Sequence, residues 1–139
     1  MSALLIAHVM ALSLWGGIVA TEAVLEMANR KDPATRGFVA RTHYWIDLLI
    51  EVPAISAVVV TGVALAIRAW PLPPIYWLHI SAALIAIALN LYCVAQVVLR
   101  ARADSAQEWL ARTRRVQVSV IGVPFALVAL FVGFAMTSH

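Results

Sequence analysis

Residues 44–67 read YWIDLLIEVPAISAVVVTGVALAI. As a helix the run is long enough to cross a hydrocarbon core, which takes roughly 20 residues. It nevertheless carries Asp47 and Glu51 near its start and Pro53 directly after them. Three further apolar runs flank it, at about 3–27, 75–99 and 116–137. In lipid a helix satisfies its own backbone, so four apolar runs predict four spanning helices. Composition agrees: 12% of residues are charged and 63% hydrophobic, against about 25% charged in soluble domains. The predicted fold is all-α, a four-transmembrane-helix bundle forming a single integral membrane domain over 1–139.

The connections set the expected topology. Arg30, Lys31, Arg36 and Arg41 fall between the first two runs. Arg100, Arg102, Arg112, Arg114 and Arg115 fall between the last two, and only Arg68 lies at the other side. Basic residues mark the cytoplasmic face, which predicts both termini outside, in a bacterial-type inner (plasma) membrane. The net charge of +3 is thereby a topology signal, and nucleic acid is excluded as a partner. Trp70, Tyr76 and Trp77 outside, and Tyr44 and Trp45 inside, read as interfacial belts. Pro71, Pro73 and Pro74 predict a short outer turn. Ser105 and Glu108 have capping-box spacing, which predicts a short amphipathic helix on the inner surface or an ordinary loop. Cys93 is the single cysteine, so no internal disulfide forms. The first run lacks a basic leader and carries Glu22 and Glu26, so no cleavable signal peptide is expected. No internal repeat and no low-complexity segment is evident.

Charged groups deep in a spanning helix cost at least about 2.5 kcal/mol each, and several lie in these runs. In the inner half, Glu22 and Glu26 share a face of the first helix. His43, Asp47 and Glu51, spaced i, i+4, i+8, form a stripe on the second. A histidine–carboxylate set on facing helices is how bundles hold metals. Imidazole with carboxylate suits iron, zinc or manganese. Asp47 and Glu51 are the expected catalytic pair. The alternative is that His43 and Glu26 lie at the interface, with carboxylates paired to Arg30, Arg41 or Arg114.

In the outer half, His8 and His79 each lie a few residues into their helices. A pair of imidazoles at matched depth can ligate a haem iron or a copper ion. Both are therefore metal candidates, and a hydrogen-bonded interior role is the alternative for each. Trp15 lies near one line with His8, and Asn90 shares a face with His79 and Cys93. Trp15 and Asn90 are thus expected beside a cofactor. Gly16 and Gly17 would allow close helix approach or room for a flat ring. His139 is terminal and is set aside. Pro124 is expected to bend the fourth helix.

His8, Trp15 and Gly16-Gly17 together resemble the first helix of HemJ-type membrane protoporphyrinogen oxidases. Tyr76-Trp77-Leu78-His79, then Leu91-Tyr92-Cys93 and basic Arg100 and Arg102, are similar to that family's third helix. Val60-Thr61-Gly62, and Arg114-Arg115 leading to Pro124, fit the same plan. The resemblance implies a four-helix protein binding haem b with His8 as axial ligand. The chain departs from the family at Ser81, where the family carries lysine, and in its His43–Asp47–Glu51 stripe. The reading is an integral membrane redox protein, a relative of protoporphyrinogen oxidase with a different task. Copper-resistance-type membrane proteins of similar build stay in view. The alternative is a non-haem metal enzyme or ion-handling protein built on the inner cluster. A third reading is a membrane subunit whose polar residues join helices. The lipid bilayer is the expected partner, with the small-molecule or electron-transfer partner open. A chain this small is also suited to a homodimer that buries one helix face.

Overall fold

A computed structural model describes residues 2–31 and 33–137; the side chains of 28–31, 33 and 137 lie outside the described set. His139 and the side chains of Arg30 and Lys31, named above, thus lie outside the described residues. The described chain is all-helical: α1 (Ala3–Lys31), α2 (Arg36–Ile46), α3 (Val52–Arg68), α4 (Pro74–Ala101), α5 (Ala106–Val118) and α6 (Gly122–Thr137). A π turn, Asp47–Glu51, joins α2 to α3, and a 3-10 turn, Ser119–Ile121, joins α5 to α6. Four stretches are long and apolar enough to span a membrane: Ala3–Met27, Arg36–Arg68, Pro74–Ala101 and Ala106–Met136.

The side-chain distribution is inverted relative to a water-soluble protein. Met10, Leu49, Val60, Ile67 and Phe131 are exposed, whereas Glu22, Glu26, His43, Asp47, Glu51 and Arg100 are buried. Water would favour the reverse arrangement; lipid tails are as apolar as the exposed side chains. The protein is a multi-pass, all-helical membrane protein.

Two boundaries differ from the sequence reading. The second span begins at Arg36, not near Tyr44, which places His43 well inside a helix. Between Arg36 and Tyr44 only Gly37 disfavours a helix, and it lies in the first turn. A membrane helix therefore extends through these basic residues. Likewise α5 is no isolated surface segment. The Ser105 hydroxyl caps it by accepting from the Glu108 N–H at 3.1 Å, and it runs through the 3-10 turn into α6. The turns sit where proline demands them. A proline ring clashes with the carbonyl four residues back. Those carbonyls belong to Leu49 for Pro53 and Val120 for Pro124, and each lies within its irregular turn.

The chain divides into two compact units, Met1–Ala69 with Arg100–Arg102, and Trp70–Leu99 with Ala103–His139. A correspondence overlooked in the linear sequence links them. Shifting the chain by 71 positions superposes His8 on His79, Pro53 on Pro124 and Gly62 on Gly133 without a gap. The Ala40-Arg41-Thr42 triplet falls on Ala111-Arg112-Thr113 in the same register. Each unit also places its histidine ring against its glycine. A Cβ on Gly62 would lie 3.3 Å from His8 Cε1, and one on Gly133 would lie 3.2 Å from His79 Cε1. These matches are few among freely interchanging Ala, Val, Leu and Ile, which is why the repeat is faint in sequence. The two units share the proline position and the approach of ring to glycine.

Candidate metal centre

The first unit brings together the inner residues singled out by their spacing. α1 contributes Glu22 and Glu26, α2 contributes His43, and the π turn contributes Asp47 and Glu51. All five are buried, with Asp47 at 0% exposure. His43 is the hub. Its Nδ1 lies 2.7 Å from Glu26 Oε1, and its Nε2 lies 3.4 Å from Asp47 Oδ1 and 3.6 Å from Glu22 Oε2. Glu26 is therefore on one edge of the ring, and Glu22 and Asp47 are on the other.

A sixth member was not foreseen. Arg100, counted above as a cytoplasmic basic residue, is 1% exposed, and its Nη2 donates to Glu26 Oε1 at 2.7 Å. Among the described residues the ion-pair partner of Glu26 is Arg100, while Arg41 and Arg114, two of the expected partners, are exposed and the side chain of Arg30 lies outside the described set. In sequence Arg100 sits at the end of an apolar run, where topology alone explains a basic residue. The signal that could have found it is the surplus of carboxylates at that depth.

The network assigns the imidazole proton. A carboxylate only accepts, so the 2.7 Å contact puts the hydrogen on Nδ1. Arg100 Nη2, 3.3 Å from the same nitrogen, is then a neighbouring charge, not a donor to it. Nε2 keeps its lone pair and faces Glu22 and Asp47. Among the described residues, no N–H donor reaches Nε2, Glu22 Oε1 or either Asp47 oxygen, while the Asp47 carboxyl lies within hydrogen-bonding reach of the Glu22 and Glu51 carboxyls. Donor atoms of Glu22, His43 and Asp47 all lie within 4.8 Å of one another, close enough to hold one metal ion.

Known proteins offer no guide. No protein family, curated protein or solved structure matches this chain. What the molecule can do is carried by its own side chains.

The outer histidines are built differently. Thr61 Oγ1 donates to the Ala57 carbonyl at 2.6 Å, so it accepts from His8 Nδ1 at 2.8 Å. His79 Nδ1 donates to the Ala129 carbonyl at 2.8 Å. Each ring is half-buried and engaged within its own unit, which matches the interior hydrogen-bonded role. Each also carries its lone pair on Nε2, the tautomer a metal-ligating histidine adopts when its other nitrogen is held by an acceptor. Trp15 is buried on α1, and Asn90 is partly buried on α4.

Proposed function

We propose that this membrane protein binds a divalent transition-metal ion through Glu22, His43 Nε2 and Asp47. The carrying observation is the convergence of three buried side chains, two carboxylates and one imidazole, within 4.8 Å, where no N–H donor among the described residues reaches Glu22 Oε1 or either Asp47 oxygen. Buried carboxylates without a counter-charge are costly. Here four carboxylates converge, and among the described residues the guanidinium that pairs with the cluster is that of Arg100, on Glu26. A divalent cation is the simplest compensation.

In this arrangement Glu22, His43 and Asp47 are ligands. Glu51, one turn beyond Asp47, supplies a further carboxylate for a ligand or a proton. Glu26 orients His43 from behind, as carboxylates commonly do for metal-bound histidines, and Arg100 holds Glu26. The metal, when bound, supplies Lewis acidity or, as iron or manganese, a redox couple. The donor set favours zinc, iron or manganese over calcium or magnesium, which prefer all-oxygen sites. Glu26 is thereby moved from the expected ligand set to a supporting position.

A second reading, haem b ligation by His8 with or without His79, is favoured by the Nε2 tautomer of both rings and by the HemJ-type resemblance. It would make the protein a membrane oxidoreductase. The two readings are compatible. The distribution of basic residues supports both termini on the outer face of a bacterial-type inner membrane. One experiment separates the readings: an absorption spectrum and elemental analysis on the same purified sample. Near-stoichiometric zinc, iron or manganese, lost in Asp47→Ala, supports the metal centre. Metal content indifferent to Asp47→Ala removes it. A Soret band lost in His8→Ala supports haem, and its absence after expression with ample haem removes that reading.

A further inference from the structure

We infer that Pro53 is a positioning residue for the metal ligands, acting through the helix break that it forces, which here closes as a π turn; this rests on the metal-binding reading above. In a regular α-helix four residues overshoot a full turn by about 40°. A stripe at i, i+4, i+8 therefore drifts around the helix by about twice that, and His43 and Glu51 would not share one narrow face. A π turn closes by a bond five residues back, here from the Val52 N–H to the Asp47 carbonyl. In so wide a turn, four residues fall short of a full circle. The drift from Asp47 to Glu51 then runs opposite to the drift from His43 to Asp47, and the two largely cancel. His43, Asp47 and Glu51 are all buried as a result, while Leu49 and Ile50 in the same turn are exposed.

The second unit is the internal control. Pro124 occupies the position matching Pro53, yet the turn before it is 3-10. Val118, which matches Asp47, is 59% exposed, whereas Asp47 is fully buried. Gly122, which matches Glu51, has its Cβ position 3.2 Å from Leu89 Cβ, leaving no room for a carboxylate without movement of that neighbour. The same proline with a different turn faces the equivalent residue the other way. Turn type, not the i, i+4 spacing alone, sets which side chains converge.

The test uses the full-length protein in detergent or lipid, with Co(II) as a spectroscopic probe. Wild type is expected to bind Co(II) with a ligand-field band in the visible. Pro53→Ala lets the helix close regularly. Its Co(II) affinity should fall at least tenfold and the band should change shape or vanish, with far-ultraviolet circular dichroism retained. Pro124→Ala should leave affinity and band unchanged. If Pro53→Ala fails to accumulate, Val52→Pro/Pro53→Val keeps a proline but shifts the turn by one residue, and the same loss is expected. A wild-type band and affinity in Pro53→Ala, or in the shifted variant, overturns the inference while sparing the metal centre. Equal losses in Pro53→Ala and Pro124→Ala also overturn it, because the effect would then be general to helix breaks. Wild type that binds no Co(II) overturns the metal reading, and the inference falls with it.

Discussion

The inner cluster and the outer histidines both place imidazole inside helices that span a membrane, but they meet the cost of burial in different ways. His8 and His79 each donate one hydrogen bond, to Thr61 Oγ1 and to the Ala129 carbonyl. Each is engaged within its own unit, with a hydroxyl acceptor in one and a backbone carbonyl in the other, and only the approach of ring to glycine recurs in both. His43 is surrounded by more acceptors than the described donors can serve, and its matching position in the second hairpin is the exposed Arg114. A polar residue that is satisfied needs nothing further. A buried group of carboxylates is costly unless a proton or a cation compensates it. The contrast explains why the cluster, not the histidine pair, carries the stronger claim to a ligand.

Several variants would break or sharpen that contrast. The largest effect is expected at Asp47. Asp47→Ala removes a proposed ligand that no N–H donor among the described residues reaches. Metal content by elemental analysis should drop to background, while the equivalent change at exposed Val118 should do nothing. Retained metal in Asp47→Ala would place the cation elsewhere.

Next comes Arg100. Removing one partner of a buried ion pair costs about 3–5 kcal/mol, because the other charge is left stranded. Arg100→Met should therefore lower unfolding stability strongly in a detergent titration. Arg100→Met/Glu26→Met should recover much of that loss, since an apolar pair of similar volume is often neutral. Absence of any recovery would show that Arg100 acts through something other than Glu26. Glu26→Gln is milder. It keeps the volume but weakens the grip on His43 Nδ1, and losses at such supporting positions are about 10- to 100-fold in metal affinity. Isothermal titration with zinc measures it. An unchanged affinity would demote Glu26 to a purely structural partner of Arg100.

Much of this was legible in the sequence. Four apolar runs of spanning length fix four membrane helices, because lipid permits little else. The spacing of His43, Asp47 and Glu51 and of Glu22 and Glu26 marks two polar faces, and the structure brings those faces together. Other features were hidden for physical reasons. Arg36 to Thr42 look like a loop because Arg36 and Arg41 read as topology markers, yet a helix anchored in a membrane extends readily through them. Arg100 looks like a topology marker because its partner is 74 positions away in sequence. The π turn is invisible to any pattern that assumes a constant helical period, although Pro53 announces that some break must occur.

Gly62 and Gly133 test the symmetry of the two hairpins. A methyl group at either position would come within 3.2–3.3 Å of an imidazole Cε1, so the ring must shift. Overpacking of this kind costs about 1–3 kcal/mol. Gly62→Ala and Gly133→Ala should lower stability by similar amounts and leave the zinc content untouched, since neither faces the cluster. Unequal effects would mean that the two histidines sit in less equivalent surroundings than their matched glycine contacts indicate.

The smallest effect is expected at Thr61. Thr61→Val keeps the shape of the side chain and deletes the hydroxyl that accepts from His8 Nδ1. Polar contacts between membrane helices are worth about 0.6 kcal/mol on average, so stability should change by about that much, near the limit of a detergent titration. The informative readout is spectroscopic. If His8 ligates haem iron, the hydroxyl on its other nitrogen governs the basicity of the ligand. Thr61→Val should then shift the haem midpoint potential while leaving haem content near wild type. If His8 is only an interior hydrogen-bonded residue, the variant should alter no spectrum. The same substitution thus separates a histidine that packs from one that ligates, and it does so without touching the carboxylates of the proposed metal centre.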